Sequence, residues 1–244
     1  MYLLRAFIYL VILFSVGGIF LTPSQLSADP KNLVFSQITG SVVQRSGADL
    51  LKVIYRRLGI DVSFMLAPAR RALDLSNKGK TDGEVFRIYS AGNVYKNLIR
   101  VPTPIISLSS YVFTLNKEYI VNSTEELKSV PRVGIVRGII WAEKLVKGRR
   151  GVVYADNAVE LASKLLKGSI DVALANRKTM QSEFKKRNMV DKLYKGNPIK
   201  IVYVYHYLHK SHVDLVDDVD EEIKKMIINN EIEQIIGLPY ITLK

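Results

Sequence analysis

The chain has 244 residues, a formal net charge of +12, 48% hydrophobic and 24% charged residues, and no cysteine. That length suits one large domain or two small lobes around a sizeable core. The lack of cysteine excludes a disulfide framework, a thiolate metal site and a lipid-anchored N-terminal cysteine. Residues 1–28 read as a secretory signal peptide: Arg5 is the lone charge, residues 6–21 are apolar, and a polar stretch leads to Ala28. The apolar run falls short of the ~20 residues that a bilayer span needs, which favours cleavage over an uncleaved anchor. Cleavage after Ala28 leaves 34 basic and 23 acidic residues, so the mature chain stays basic. Export argues against a nucleic-acid partner. The basic clusters at 144–150 and 177–187 also lack interleaved aromatics for base stacking, and an acidic run at 214–222 balances them locally.

The mature chain opens with a strand at 32–38, followed by a polar turn at Thr39-Gly40-Ser41. Ser46 and Asp49 have the spacing of a capping box, which predicts a helix carrying Leu50, Leu51, Val53, Ile54 and Leu58 and stopping at Gly59. A second strand covers 61–66. Pro68 then stands where a first-turn proline is tolerated, before a helix over 69–78 and a third strand. This βαβαβ start predicts a parallel sheet. Pro102 and Pro104 make residues 95–106 a loop or sheet edge. A strand at 111–115 and a short helix capped by Ser123 with Glu126 come next. Another strand, loop and helix begin at Arg132, with a further strand at 152–154. Asn157 with Glu160 caps a helix over 158–167, and a strand covers 170–175. The rest reads as a basic helix at 179–187, a Tyr-rich strand at 199–208 and two helical runs at 215–228 and 231–236.

One element occurs twice. Residues 79–87, GKTDGEVFR, follow a helix with glycine, turn aspartate and strand; residues 168–176, GSIDVALAN, do the same. Setting Gly79 on Gly168 places Asp82 on Asp171 and Arg87 on Asn176. Two such copies suggest two similar α/β lobes. Ligands bind beyond the carboxyl ends of strands in open α/β sheets, so Arg87 and Asn176 are expected on opposite walls of one cleft.

The order of elements resembles the extracytoplasmic solute-binding proteins of family 3, the amino-acid-binding type that serves ABC importers. The resemblance spans essentially the whole mature chain. It is carried by the KGKTDG element, IRVPTPIISLSSYVFTLNKE, STEELKSVPRVGIVRG, AVELASKLLKGSIDVALAN and EEIKKMIINNEIEQIIGLPY. It implies an α/β, two-lobed, type II periplasmic-binding-protein-like fold, each lobe a mostly parallel sheet flanked by helices. Lobe one would be 29–114 plus 205–244 and lobe two 115–204, joined by two hinge crossovers. It further implies a periplasmic monomer without cofactor, partnered by a small-molecule ligand (an amino acid or other small anion) and by the permease of an ABC importer or a membrane sensor.

The ligand positions of that family carry over in part. Phe86, Arg87 and Tyr89 stand where residues after the glycine–aspartate turn help hold the carboxylate. Gly138 begins the helix whose N-terminus would face an anion, but Ile139, Ile140 and Trp141 replace the usual hydroxyl pair. Asn176 stands where an acidic residue would hold the ammonium, so an α-amino acid is not clearly indicated. From the residues themselves, Arg87 meets a ligand carboxylate, pairs internally with Glu84 or stands at an exposed strand end. Glu84 either binds a cationic group or pairs with a lysine. Arg70 and Arg71 sit in a first helical turn, where positive charge is unfavourable, which hints at a cleft; the alternative is a solvated face. Trp141 stacks on a ligand or fills core, and Thr39 lies in the turn after the first strand. His206, His209 and His212 share a strand-like segment that aims the first two to opposite faces, so no metal site is expected. No nucleophile–base set appears. Glu84 is the sole acid considered for an enzymatic reading, and we expect none. The expected function is binding of a small polar, carboxylate-bearing solute by hinge closure for an importer; the alternative is a sensing or protein-interaction module of the same fold.

Overall fold

The computed structural model describes residues 32–237; the signal-peptide reading falls outside that range. Strand β1 (Asn32–Ile38) leads into helix α1 (Val42–Arg57). This helix starts well before the capping box expected at Ser46 and Asp49. Ser41 is the cap instead, its Oγ accepting the Gln44 N–H at 3.3 Å. The buried face already runs through Val43, Gly47, Leu50, Leu51 and Ile54 at helical spacing, so burial extends the helix past the local signal. Strand β2 (Asp61–Ala67) follows, and Pro68, with φ −55°, sets the entry to α2 (Ala69–Asn77).

Strand β3 (Gly83–Ile88), a single turn α3 (Ala91–Val94) and the short β4 (Leu98–Arg100) precede the long strand β5 (Ile106–Thr114). Then come α4 (Thr124–Leu127), β6 (Val133–Val136), α5 (Ile140–Leu145) and β7 (Val152–Ala155). Next are α6 (Ala158–Leu166), β8 (Val172–Asn176), α7 (Arg177–Lys185) and the two-residue β9 (Tyr194–Lys195). The long β10 (Lys200–His209), α8 (Val216–Ile228) and α9 (Glu231–Ile236) complete the described chain. The caps expected at Ser123 and Asn157 are present: their side chains accept the N–H groups of Glu126 and Glu160. The glutamates reach back one residue further than expected, to the N–H groups of Asn122 and Asp156.

The strands run in the order β2-β1-β3-β10-β5-β8-β6-β7. The outer groups β2-β1-β3 and β8-β6-β7 are parallel, whereas β10 and β5 pair antiparallel with each other and with their neighbours. The interior is divided to match. One core joins β1, α1, β3, α8 and α9 around Phe35, Ile54 and Ile223; two others lie around Phe113, Leu161 and Phe184, and around Val133, Ile135 and Val172. Strands β5 and β10 are the covalent link between the halves: Ile106 and Val204 belong to the first core, Tyr111 and Phe113 to the second.

A bulge interrupts the β3–β10 ladder. Tyr205 pairs with Arg87 and Tyr207 with Glu84, so Val85 and Phe86 together oppose His206. Residues three apart on a regular strand point to opposite faces. The extra residue cancels that parity and lets Glu84 and Arg87 meet. On the same stretch, His206 is fully buried. Its Nδ1–H donates to the Glu84 carbonyl at 2.8 Å, and its Nε2 accepts from the Tyr55 hydroxyl at 2.8 Å. Burial lowers its pKa from 6.5 to about 4, so it is a neutral structural histidine.

Candidate functional site

The carboxyl ends of β1, β3, β6 and β8 converge on one cavity of about 120 Å³. Ile38, Thr39, Gln44, Phe86 and Arg87 wall it from the first half. Gly138, Ile139, Trp141, Asn176 and Thr179 wall it from the second. Leu108, Ser110, Val202 and Val204 of the two linking strands close its back. Of the residues singled out in the sequence, Arg87, Phe86, Thr39, Gly138, Trp141 and Asn176 come together here. Arg87 and Asn176 do wall the same cavity. Glu84, Tyr89, Arg70 and Arg71 do not line it.

Arg87 is 5% exposed and already paired. Its Nε donates to Glu84 Oε2 at 2.8 Å and its Nη2 to the Ala69 carbonyl at 2.9 Å. Glu84, fully buried, also accepts from Ser76 Oγ at 2.6 Å. Burial pushes the Glu84 carboxyl above its ordinary value, against the pull of Arg87 and Ser76. The internal pair with Glu84 is present, and the bulge is the reason; the guanidinium nonetheless lines the cavity. Tyr89 is 54% exposed, with the Arg100 guanidinium 3.7 Å over its ring.

Gly138 has φ +82°, and a Cβ there would lie 2.4 Å from the Arg70 backbone nitrogen. Glycine at this position thus lets the loop after β6 press against the first turn of α2, bringing the two halves into contact. Arg70 and Arg71 are exposed, and it is the backbone of Ala69 and Arg70 that meets Gly138. The Gly138 N–H donates to Glu143 Oε1 at 2.8 Å, so the amide expected to meet an anion already holds a carboxylate. Asn176 caps α7, its Oδ1 accepting the Thr179 N–H at 2.9 Å. Trp141 is half-buried beside the core around Val133.

Sequence reasoning missed Gln44, Ser110 and Thr179. Each lines the cavity and carries a side-chain oxygen with no hydrogen-bond partner among the described residues. The signals were faint. Thr179 follows the Asn176 cap by three residues, as Gln44 follows Ser41, and Ser110 is a hydroxyl inside a buried strand.

Among the described residues, no group of three or more His, Asp or Glu could hold a metal ion, and no helix is long and apolar enough to cross a membrane.

No protein-family model matches the chain. An uncharacterized protein of Shewanella oneidensis is 27% identical over 175 residues, covering 70% of this chain. The match spans 66% of that relative's length. A histidine kinase sensor domain with similarity to periplasmic binding proteins superposes with a TM-score of 0.73 at 14% identity, covering 85% of this chain and 94% of that one. The arginine-bound substrate-binding protein AbpA of an amino acid ABC transporter from Streptococcus pneumoniae gives 0.68 at 16%, covering 84% and 93%. The ancestral amino-acid-binding protein AncCDT-1, a precursor of cyclohexadienyl dehydratase, gives 0.67 at 14%, covering 84% and 94%. One architecture serves a sensor, a transport protein and the forerunner of an enzyme, so what these likenesses show is the fold. The chain has the two-lobed fold of the periplasmic amino-acid-binding proteins.

Proposed function

We propose that this protein binds a small solute outside the cytoplasm by closing its two lobes upon it, and delivers the solute to the permease of an ABC importer. The observation that carries the reading is the cavity itself, walled by strand ends of both halves and closed behind by the strands that join them. The lobes are taken as residues 29–114 with 205–244 and residues 115–204, with the crossovers in β5 and β10. A ligand touching both walls favours the closed arrangement by its differential affinity for it. Phe86, Trp141, Gly138, Asn176 and Thr39 are the proposed contacts, joined by Gln44, Ser110 and Thr179. Glu84 lies beneath Arg87 and off the cavity, so the reading is binding without catalysis. The AbpA likeness supports the importer role.

The likeness to a histidine kinase sensor domain supports a second reading, in which the closed lobes report to a membrane signalling partner. Deleting the gene and following uptake of the solute tests the choice. Loss of uptake supports delivery to an importer; intact uptake with a lost transcriptional response supports sensing. Solute binding itself is tested by a thermal-shift panel of amino acids, dicarboxylates and neutral metabolites. A rise of several degrees with one class is expected, and no rise with any class contradicts the reading.

A further inference from the structure

We infer that the solute this cavity takes is uncharged: a molecule about one ring in size, apolar over most of its surface and carrying at least one N–H or O–H donor. The inference rests on the solute-binding reading above and narrows its ligand.

Charge is what the cavity is built to refuse. Among the described residues its one charged lining residue is Arg87, and that guanidinium already holds the Glu84 carboxylate at 2.8 Å. The amide of Gly138, just before α5, already holds the Glu143 carboxylate at 2.8 Å. The N-termini of α1 and α7 are capped by Ser41 and Asn176. The Arg87 charge is thus offset by Glu84 through Nε, its Nη2 is held by the Ala69 carbonyl, and the Gly138 amide is held by Glu143; neither carboxylate lines the cavity among the described residues. An incoming carboxylate would be a buried charge without a counter-charge, which costs more than its hydrogen bonds return. An ammonium fares no better, since no acidic residue lines the wall among the described residues.

What the cavity does offer is neutral hydrogen bonding. Gln44, Ser110 and Thr179 are 5%, 0% and 4% exposed, and Gln44 Oε1, Ser110 Oγ and Thr179 Oγ1 are buried without a partner among the described residues. Gln44 Nε2 donates to the Phe86 carbonyl at 2.8 Å, which fixes Oε1 as an acceptor. It calls for a donor from the ligand, while the two hydroxyls give or accept. Ile139, Trp141 and Leu161 supply apolar wall. A buried apolar cavity of ~150 Å³ takes up benzene, so about 120 Å³ suits a single small ring.

The test begins with wild-type protein, exported and purified without refolding, incubated with a deproteinised small-molecule extract of its own cells. Native mass spectrometry selects the complex, and the released molecule is identified. A neutral molecule with an N–H or O–H donor is the expected result. A released amino acid, carboxylate or phosphate ester overturns the inference and leaves solute binding standing; no released molecule overturns both. With the released compound as probe, Ser110→Ala and Thr179→Val are each expected to weaken binding about tenfold while holding or raising the unfolding midpoint of the ligand-free protein. Unchanged affinity with a lowered midpoint would make the hydroxyls structural and overturn their assignment.

Discussion

In the first lobe Gly79 ends α2 with φ +66°, and Asp82 exchanges hydrogen bonds with Val34 of β1: Oδ2 accepts the Val34 N–H at 2.7 Å, and the Asp82 N–H donates to the Val34 carbonyl at 2.7 Å. In the second lobe Gly168 ends α6 with the same φ. Asp171 makes the same exchange with Arg132, just before β6, at 2.9 and 3.0 Å. The backbone exchanges agree, though Asp82 also meets His212 and Asp171 the Arg132 guanidinium, and the strands that leave them end differently. β3 is bulged, with a buried arginine, one residue before its end, locked to a glutamate. β8 ends on an asparagine that caps the next helix. Repetition thus fixes where the walls stand, while the local backbone fixes their chemistry.

The sharpest way to break this comparison is to truncate the two strand ends. Arg87→Ala leaves Glu84 buried and uncompensated and should cost about 3–5 kcal/mol. Asn176→Ala loses only a cap and should cost about 1 kcal/mol. Urea unfolding of the two variants measures the gap, and equal costs would show that Arg87 is not held as a buried pair.

The lobes should also differ in acid. His206 titrates at about 4 when folded and near 6.5 when unfolded. The unfolded chain therefore binds the extra proton first, and stability is full above pH 6.5 and falls as pH drops toward 4, by about 3 kcal/mol. Glu84, raised by burial, works with the opposite sign above its ordinary value. The difference between wild type and His206→Gln isolates the histidine, and the variant should show the shallower loss across this window. In the second lobe Asp171 is held below the usual carboxylate range by Arg132, so its contribution is lost only at lower pH still. Hydrogen exchange at pH 5 should accordingly loosen β1 and β3 before β6 and β8.

A smaller effect tests the shared frame. Asp82→Ala and Asp171→Ala each strand a backbone N–H and should cost about 1–3 kcal/mol. Markedly unequal costs would mean that the two turns, though alike in geometry, do unlike work.

The frame was legible in the sequence because it is local. Glycine, turn aspartate and strand recur at fixed spacing, and the caps at Ser123 and Asn157 announce their helices. The start of α1 was not legible, because Gly47 interrupts the apolar stripe that burial nonetheless extends to Val43. The site was half legible. Strand ends located Arg87, Asn176 and, through the loop after β6, Gly138 and Trp141. The state of Arg87 was left open among three readings, since strand parity sets Glu84 on the opposite face and only a bulge reverses that. The bulge arises from pairing with β10, a strand more than a hundred residues later. Gln44, Ser110 and Thr179 escaped notice for a similar reason: a polar side chain in a helix or strand reveals its lack of a partner only when the fold surrounds it.

Trp141 is the sole tryptophan of the chain and stands in the cavity wall, so its fluorescence reports directly on the claim that the two lobes close on a solute. Titration with the small-molecule extract should give a saturable change in intensity or wavelength. Gly138→Ala, whose Cβ would meet the Arg70 backbone and hold the lobes apart, should shift the midpoint at least tenfold to higher concentration. No saturable change in the wild type, or a titration that Gly138→Ala leaves unaltered, would contradict closure of this cavity around a ligand.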